Sequence, residues 1–421
     1  MSKLKNSGII KILIFPVLIF IIVLSVGCGA SSTGKQKEAV ELTLWCDDRN
    51  MNILQSSLEE FREMYKDEAD FEFHYGTESE ISCKETVLAD PEAAADIFVF
   101  ADDQFNELWS AGALLEVTRN AGKVIDSVGG VDSGAAHAAM RNGKLYAYPE
   151  TEGNGYFLYY RPSYFKPGDL ESLNDILKTA ASNNKKFTMD FSSGWYLYSF
   201  FKGAGLDVSY DVNTDTSVCN WNAVDGKYTG VDVVNAMLKV AAHPGFVSAT
   251  DEGFLKGVKD GSIIAGVNGP WNADTVKEAW GDDFAAAKLP CYTLKGDQVQ
   301  MCSFTGYKLL GVNAYSKYPE WAMKLAEYLT GEDIQLRRFK EIGECPANVK
   351  AAQNEEVQAS PVVAALAAQS RYGFTQNVPG TFWDASELLG AFIAGLNADN
   401  RDIQEVLDSM VMTVEGTLTY E

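Results

Sequence analysis

The chain has 421 residues, 46% of them hydrophobic, and a formal net charge of −23. That length and apolar share suffice for two domains of ordinary size and exclude bulk disorder. The negative balance argues against nucleic acid as a partner, because phosphate binding needs a basic face, and it favours solubility and neutral or cationic ligands.

Lys3, Lys5 and Lys11 precede an almost wholly apolar run from Ile12 to Val26, which ends at Gly27-Cys28. A basic start, an apolar stretch and a small residue at the cut is the order of a secretory signal. The ending resembles the looser form of the bacterial lipobox, with Ser25 at the usual leucine position and Leu24 one place earlier. Cys28 is therefore expected to carry the lipid anchor once residues 1–27 are removed, and residues 28–40 to form a polar tether. Two acyl chains suffice for stable anchoring. The alternative is a retained transmembrane anchor. The expected location is the extracellular face of the cytoplasmic membrane.

After the tether, Glu41-Leu42-Thr43-Leu44-Trp45 alternates as a strand does, and Ile53, Leu54, Leu58, Phe61 and Met64 follow at helical spacing. Phe71 to Tyr75 and Asp96 to Phe100 read as further strands, and strand–helix–strand order predicts a parallel α/β sheet. Lys144 to Pro149 and Tyr156 to Tyr160 are two more, joined by the polar link Glu150 to Gly155. Phe187 to Phe191 reads as a strand before the aromatic helix start Trp195-Tyr196-Leu197-Tyr198. Ile263, Ile264, Ala265 and Val267 read as a strand buried on both faces. Asn268-Gly269-Pro270 turns the chain, and Trp271 and Asn272 lead into a helix that includes Val276 and Ala279. Ligands of open α/β sheets bind beyond the carboxyl ends of strands. A ring and an amide placed there suit stacking and hydrogen bonding; a core tryptophan closing the sheet edge is the competing reading. Glu320 to Leu329 and Pro361 to Ala368 read as amphipathic helices. Cys291 and Cys302 flank an apparent hairpin with Lys295-Gly296-Asp297 at its turn and could face each other; buried free thiols are the simpler expectation.

Leu42 to Trp45, Ala95 to Phe98, Gly112 to Glu116, Asn142 to Pro149, Asn268 to Trp271 and Phe382-Trp383 stand in an order and spacing that resemble the family 1 extracellular solute-binding proteins of ABC transporters, the group that includes maltose/maltodextrin-binding protein. The resemblance implies an α/β, two-lobed, periplasmic-binding-protein-like fold (type II), hinge-linked, with a ligand cleft between lobes. On that basis residues 41–150 plus 305–350 form an N-terminal lobe and residues 151–304 plus 351–421 a C-terminal lobe. Crossings fall near Glu150 to Gly155 and Ser303 to Gly306.

A neutral oligosaccharide presents C–H faces that stack on aromatic rings and hydroxyl edges that both donate and accept hydrogen bonds. The resemblance places stacking aromatics at Trp195, Trp271 and Trp383, with Tyr196 and Tyr198 extending the platform. Phe100 matches a family tryptophan, and Tyr307 follows the second crossing. Polar candidates are Asp47, Asp48 and Arg49 after the first strand, and Asp103, which matches a ligand-binding aspartate although its arginine neighbour is Gln104 here. Glu152 and Asn154 in the link flank Gly153, where the family carries a glutamate, and Ser193 replaces another glutamate.

His74, His137 and His243 match no metal or triad spacing, and no Walker loop, G-x-G-x-x-G or G-x-S-x-G occurs. Asp211-x-Asn213-x-Asp215 opens like a calcium loop, but Thr216 and Asn222 fill its sixth and twelfth places, so a plain polar loop is expected. No cofactor and no metal are expected. The leading expectation is a monomeric, non-catalytic receptor that binds maltose or malto-oligosaccharides and delivers them to ABC permease subunits. Alternatives are another oligosaccharide, a polyamine, iron held by paired Tyr159-Tyr160, and, least favoured, a glycoside hydrolase, which needs two carboxylates ~5–9.5 Å apart.

Overall fold

The computed structural model describes residues 37–417 apart from 167, 212, 213 and 215. The expected lipid site at Cys28 lies outside these residues, as does part of the calcium-like loop.

Two five-stranded sheets organise the chain. The first has the order Ala69–Thr77, Glu38–Cys46, Ile97–Ala101, Tyr307–Val312, Ala147–Glu152. The second has the order Phe246–Val247, Lys186–Thr188, Ile263–Asn268, Phe157–Tyr160, Ala285–Ala287. In each, three parallel strands are followed by one running antiparallel to both neighbours. The first three strands pair in parallel, as their strand–helix–strand order predicts, and the crossing strand makes each sheet mixed. Tyr307–Val312 enters the first sheet after leaving the second, and Phe157–Tyr160 enters the second after leaving the first.

Alternation in Glu38–Cys46 places Val40, Leu42, Leu44 and Cys46 in the core, against Leu54, Leu58 and Phe61 of the helix Met51–Met64. The unbroken apolar run Ile263–Asn268 is buried at every position, as a strand covered on both faces must be. One face meets the core that contains Trp221 and the helices Gly194–Gly203, Thr381–Ala394 and Ile403–Val414; Ile263 on the other meets Phe254, Val276 and Val362. The expected Phe187 to Phe191 strand stops at Thr188, although Met189 and Phe191 remain buried.

Cys291–Leu294 and Asp297–Gln300 form the expected hairpin around Lys295 and Gly296, both left-handed (φ 52° and 94°), the geometry of a two-residue turn. Cys291 stands opposite Gln300, so Cys302 falls beyond the ladder. No disulfide joins them: all six cysteines among the described residues are free thiols. Burial pushes the Cys46, Cys83 and Cys219 thiols up to about 12.

Candidate functional site

Trp195 is the second residue of Gly194–Gly203, and Trp383 the third of Thr381–Ala394. Their half-buried rings lie 6.3 Å apart at 31°, and Phe304 of the short strand Ser303–Thr305 packs against both, at 5.3 and 6.0 Å. Trp195 Nε1 is buried and has no hydrogen-bond partner. Tyr156 supports the pair from below, its hydroxyl donating to the Trp195 carbonyl at 2.8 Å.

The expected extension of this platform does not form. Tyr198 is 2% exposed and stacks on Phe304 at 3.8 Å; Tyr196 is 6% exposed beside Tyr156. Helical rotation turns Tyr196 away from Trp195, whereas Tyr198, three places on and on the same side, is covered by Phe304. Phe100 is likewise fully buried between Phe98 and Phe105, because Ile97–Ala101 is covered on both sides.

Trp271 is half-buried, and its Nε1 donates to Asp251 Oδ2 at 2.7 Å. The ring lies over Gly269, where a Cβ would stand 1.9 Å from it; only glycine permits that approach. Asn272, expected as a hydrogen-bonding amide, is buried and donates to Asn268 Oδ1 at 2.8 Å, holding the turn. Tyr159, offered as an iron ligand, donates its hydroxyl to the Gly269 carbonyl at 2.8 Å, so this phenol too is occupied in holding the turn. Among the described residues no cluster of His, Cys, Asp or Glu is placed to hold a metal ion.

Arg49 reaches the Trp271 carbonyl with Nη1 at 3.4 Å and pairs with Asp47 at 3.2 Å. Behind it lies a buried charge network absent from the sequence-based expectations. Lys308 pairs with Glu80 at 2.8 Å and with Glu344 at 3.0 Å, and Arg338 pairs with Glu150 at 2.5 Å. Asn50 links Arg338 Nε, at 3.1 Å, to Glu344. One signal was available, a lysine inside the otherwise apolar strand Tyr307–Val312. Asp48 remains exposed.

A cavity of about 700 Å³ reaches Gly380 and Thr381 at the start of the helix that carries Trp383, but neither Trp195 nor Trp383 lines it. Asp102, Asp103, His137, Arg141, Gln376 and Pro379 are among the residues that line it. Of the expected site residues only Asp103 lines it. Burial pushes the Asp103 carboxyl up to about 6, against the opposing pull of Lys84; burial, and then neighbouring Asp103, also raise the Asp102 carboxyl. Tyr307 stands behind the wall with its hydroxyl against Gly134. Glu152 is exposed and Asn154 half-buried, and the amides of Gly153 and Asn154 both donate to the Gly306 carbonyl, at 3.1 and 3.0 Å, tying the two crossings together. Sequence reasoning missed Gln376, Phe304 and Asp251, which sit in segments without a motif.

The family model described as bacterial extracellular solute-binding protein matches residues 58–365. A galactooligosaccharide-binding protein of Bacillus subtilis is 25% identical over 412 residues, covering 93% of each chain. A maltodextrin-binding protein of the same organism is 26% identical over 313 residues, 70% of this chain and 72% of that one. Among solved structures, one with acarbose is 32% identical with a TM-score of 0.79, over 91% of this chain and 100% of that one. The maltodextrin-binding protein of L. casei BL23, without ligand, has a TM-score of 0.74 at 22% identity, over 89% of this chain and 98% of that one.

Proposed function

Because the chain belongs to the bacterial extracellular solute-binding protein family, we propose that it captures malto-oligosaccharides between two hinged lobes and delivers them to the permease subunits of an ABC importer. The lobes are residues 41–150 plus 305–350 and residues 151–304 plus 351–421. The observation that carries this reading is the half-buried Trp195–Trp383 pair with its unpartnered indole N–H, on a fold that also carries a carboxylate-lined cavity at the start of the Trp383 helix. Rings supply surface for sugar faces, and the polar atoms supply partners for hydroxyls. The relatives that bind maltodextrin, and the solved relative with acarbose, support a glucose-based oligomer. The galactooligosaccharide-binding relative, matched over more of the chain, supports a second reading in which the sugar is galactose-based.

Calorimetric titration with maltotriose and with a galacto-oligosaccharide separates the two. Tighter binding of maltotriose is expected, and the reverse order would transfer the assignment to the second sugar. Binding is also expected to close the lobes as a hinge, so the radius of gyration in small-angle scattering should fall on adding sugar. An unchanged radius at saturation would rule hinge closure out.

The receptor is proposed to be a monomer held outside the cell by lipid on Cys28. Among the described residues no helix is long and apolar enough to cross a membrane. Cys28→Ser should release the protein into the medium or leave an uncleaved precursor. Normal processing and membrane retention of that variant would exclude the lipid anchor.

A further inference from the structure

Gln376 follows the short strand Gly373–Thr375, in which Thr375 lies opposite Thr305. It is 5% exposed, lines the cavity, and its Nε2 has no partner. The register of that pairing puts Gly306 next in line on the neighbouring chain. Gly306 has no side chain, and the Asp102 carboxylate occupies the space this leaves: a Cβ there would stand 2.5 Å from Asp102 Oδ1. Asp102 Oδ1 and Asp103 Oδ1 are also buried without partners. One cavity is therefore lined by residues that carry an unpartnered amide donor, on Gln376, and unpartnered carboxyl oxygens, on Asp102 and Asp103. Buried polar atoms are nearly always paired in folded proteins, and an unpaired set on residues around one cavity points to where a ligand's polar groups go.

Asp102 and Gln376 come from different parts of the fold. Asp102 directly follows Ile97–Ala101 of the first sheet, and Gln376 precedes the helix Thr381–Ala394, which packs in the core of the second. The ligand chemistry follows from the mismatch. A hydroxyl accepts and donates at once, so one hydroxyl can take a hydrogen bond from Gln376 Nε2 and give one to an aspartate oxygen. An ammonium group has donors only; it satisfies the carboxylates and leaves the amide unpaired.

We propose that Gln376 and Asp102 form a hydroxyl clamp across this cavity, in which Gln376 is a specificity-determining residue that selects neutral polyols over cations. The clamp rests on the receptor reading above and names the polar half of its recognition. It also explains why so acidic a cavity wall suits an uncharged ligand.

The test is calorimetry on the full chain with maltotriose, a galacto-oligosaccharide and spermidine, for the wild type, Gln376→Leu, Asp102→Ala and the double variant, with melting temperatures measured without ligand. Each single change is expected to weaken binding of the preferred sugar by about tenfold or more. The double variant should bind no worse than the weaker single, because both residues hold one hydroxyl. Ligand-free melting of Gln376→Leu should stay level or rise, since the change removes an unpaired buried donor; a purely structural glutamine would lower it and leave affinity intact. Spermidine should bind weakly to the wild type. Should Gln376→Leu fail to fold, Gln376→Glu keeps the shape: it should lose sugar binding at pH 7.5 and recover part of it at pH 5, where protonation restores a donor. Wild-type affinity in Gln376→Leu, or in Gln376→Glu at pH 7.5, would overturn the clamp while leaving the receptor reading standing, as would losses that simply multiply in the double variant. A wild type that binds neither sugar would overturn both.

Discussion

Lys308→Met is expected to lower the stability of the ligand-free protein by about 3–5 kcal/mol, the range found when one partner of a buried ion pair is removed. Lys308 is 5% exposed and stands between Glu80 and Glu344, at 2.8 and 3.0 Å. The methionine fills much of the same volume, so the loss is of charge rather than packing. What remains is Glu344, 4% exposed, with one carboxylate oxygen that already lacks a hydrogen bond. Burial would raise its carboxyl, yet Lys308, Arg338 and Arg49 outweigh that and hold it below its ordinary value of 4.5.

The sign of the pH dependence follows. A carboxyl depressed in the folded state contributes stability that is present above its unfolded pKa and is lost as pH falls through the folded one. Without Lys308 the burial penalty is less opposed, the Glu344 carboxyl rises, and the folded variant takes up its proton at higher pH. The deficit relative to the wild type should therefore be full near pH 7 and shrink as pH falls from the variant's raised Glu344 pKa to the wild type's depressed one. Denaturant melts of both proteins across that interval check this. A second change, Glu344→Leu added to Lys308→Met, should recover part of the loss, because removing both partners of a buried pair costs less than removing one. A Lys308→Met protein as stable as the wild type at pH 7 would show the network to be energetically idle.

Trp383→Ala is expected to weaken binding of the preferred oligosaccharide by about 1–3 kcal/mol, taking the stacking of nucleobases on aromatic rings as the analogy. That is roughly five- to a hundredfold in dissociation constant. Trp383 is only half-buried and shares its open side with Trp195, so stability should suffer less than at a core position. Trp221 provides the contrast. It is fully buried and stacked on Phe201 at 3.9 Å and 3°, and Trp221→Ala should cost about 3–5 kcal/mol of folding stability while leaving the affinity of the folded fraction unchanged. Trp271→Ala should resemble Trp383→Ala in binding, with an added stability loss from the freed Asp251 carboxylate. If Trp383→Ala instead melts as early as Trp221→Ala and its folded fraction binds sugar normally, the ring is core and the aromatic support for sugar recognition falls.

These two expectations also mark how far the amino-acid order alone reaches. Alternation in Glu38–Cys46, the continuous apolar run of Ile263–Asn268, the helical spacing of Ile53 to Met64 and the Lys295-Gly296 turn were all legible, because each is a pattern of neighbours along the chain. The order of short landmarks carried the family as well. Facing direction was legible only in part: Trp195 lies at the edge of its core, whereas Tyr196 and Tyr198, one and three places on, are turned into it. Periodicity says that a residue is buried, not what it is buried against.

The charge network and the cavity walls were decided by tertiary structure alone. Arg49 meets Trp271 across 222 positions, Asn50 meets Glu344 across 294, and Gln376 shares a cavity with Asp102 through the strand pairing of Thr375 with Thr305. No local pattern records such meetings. A buried lysine, an unpaired amide and a carboxylate packed on a glycine acquire their energies from groups that distant segments deliver, and those energies exist only once the two sheets have formed and the chain has crossed between them.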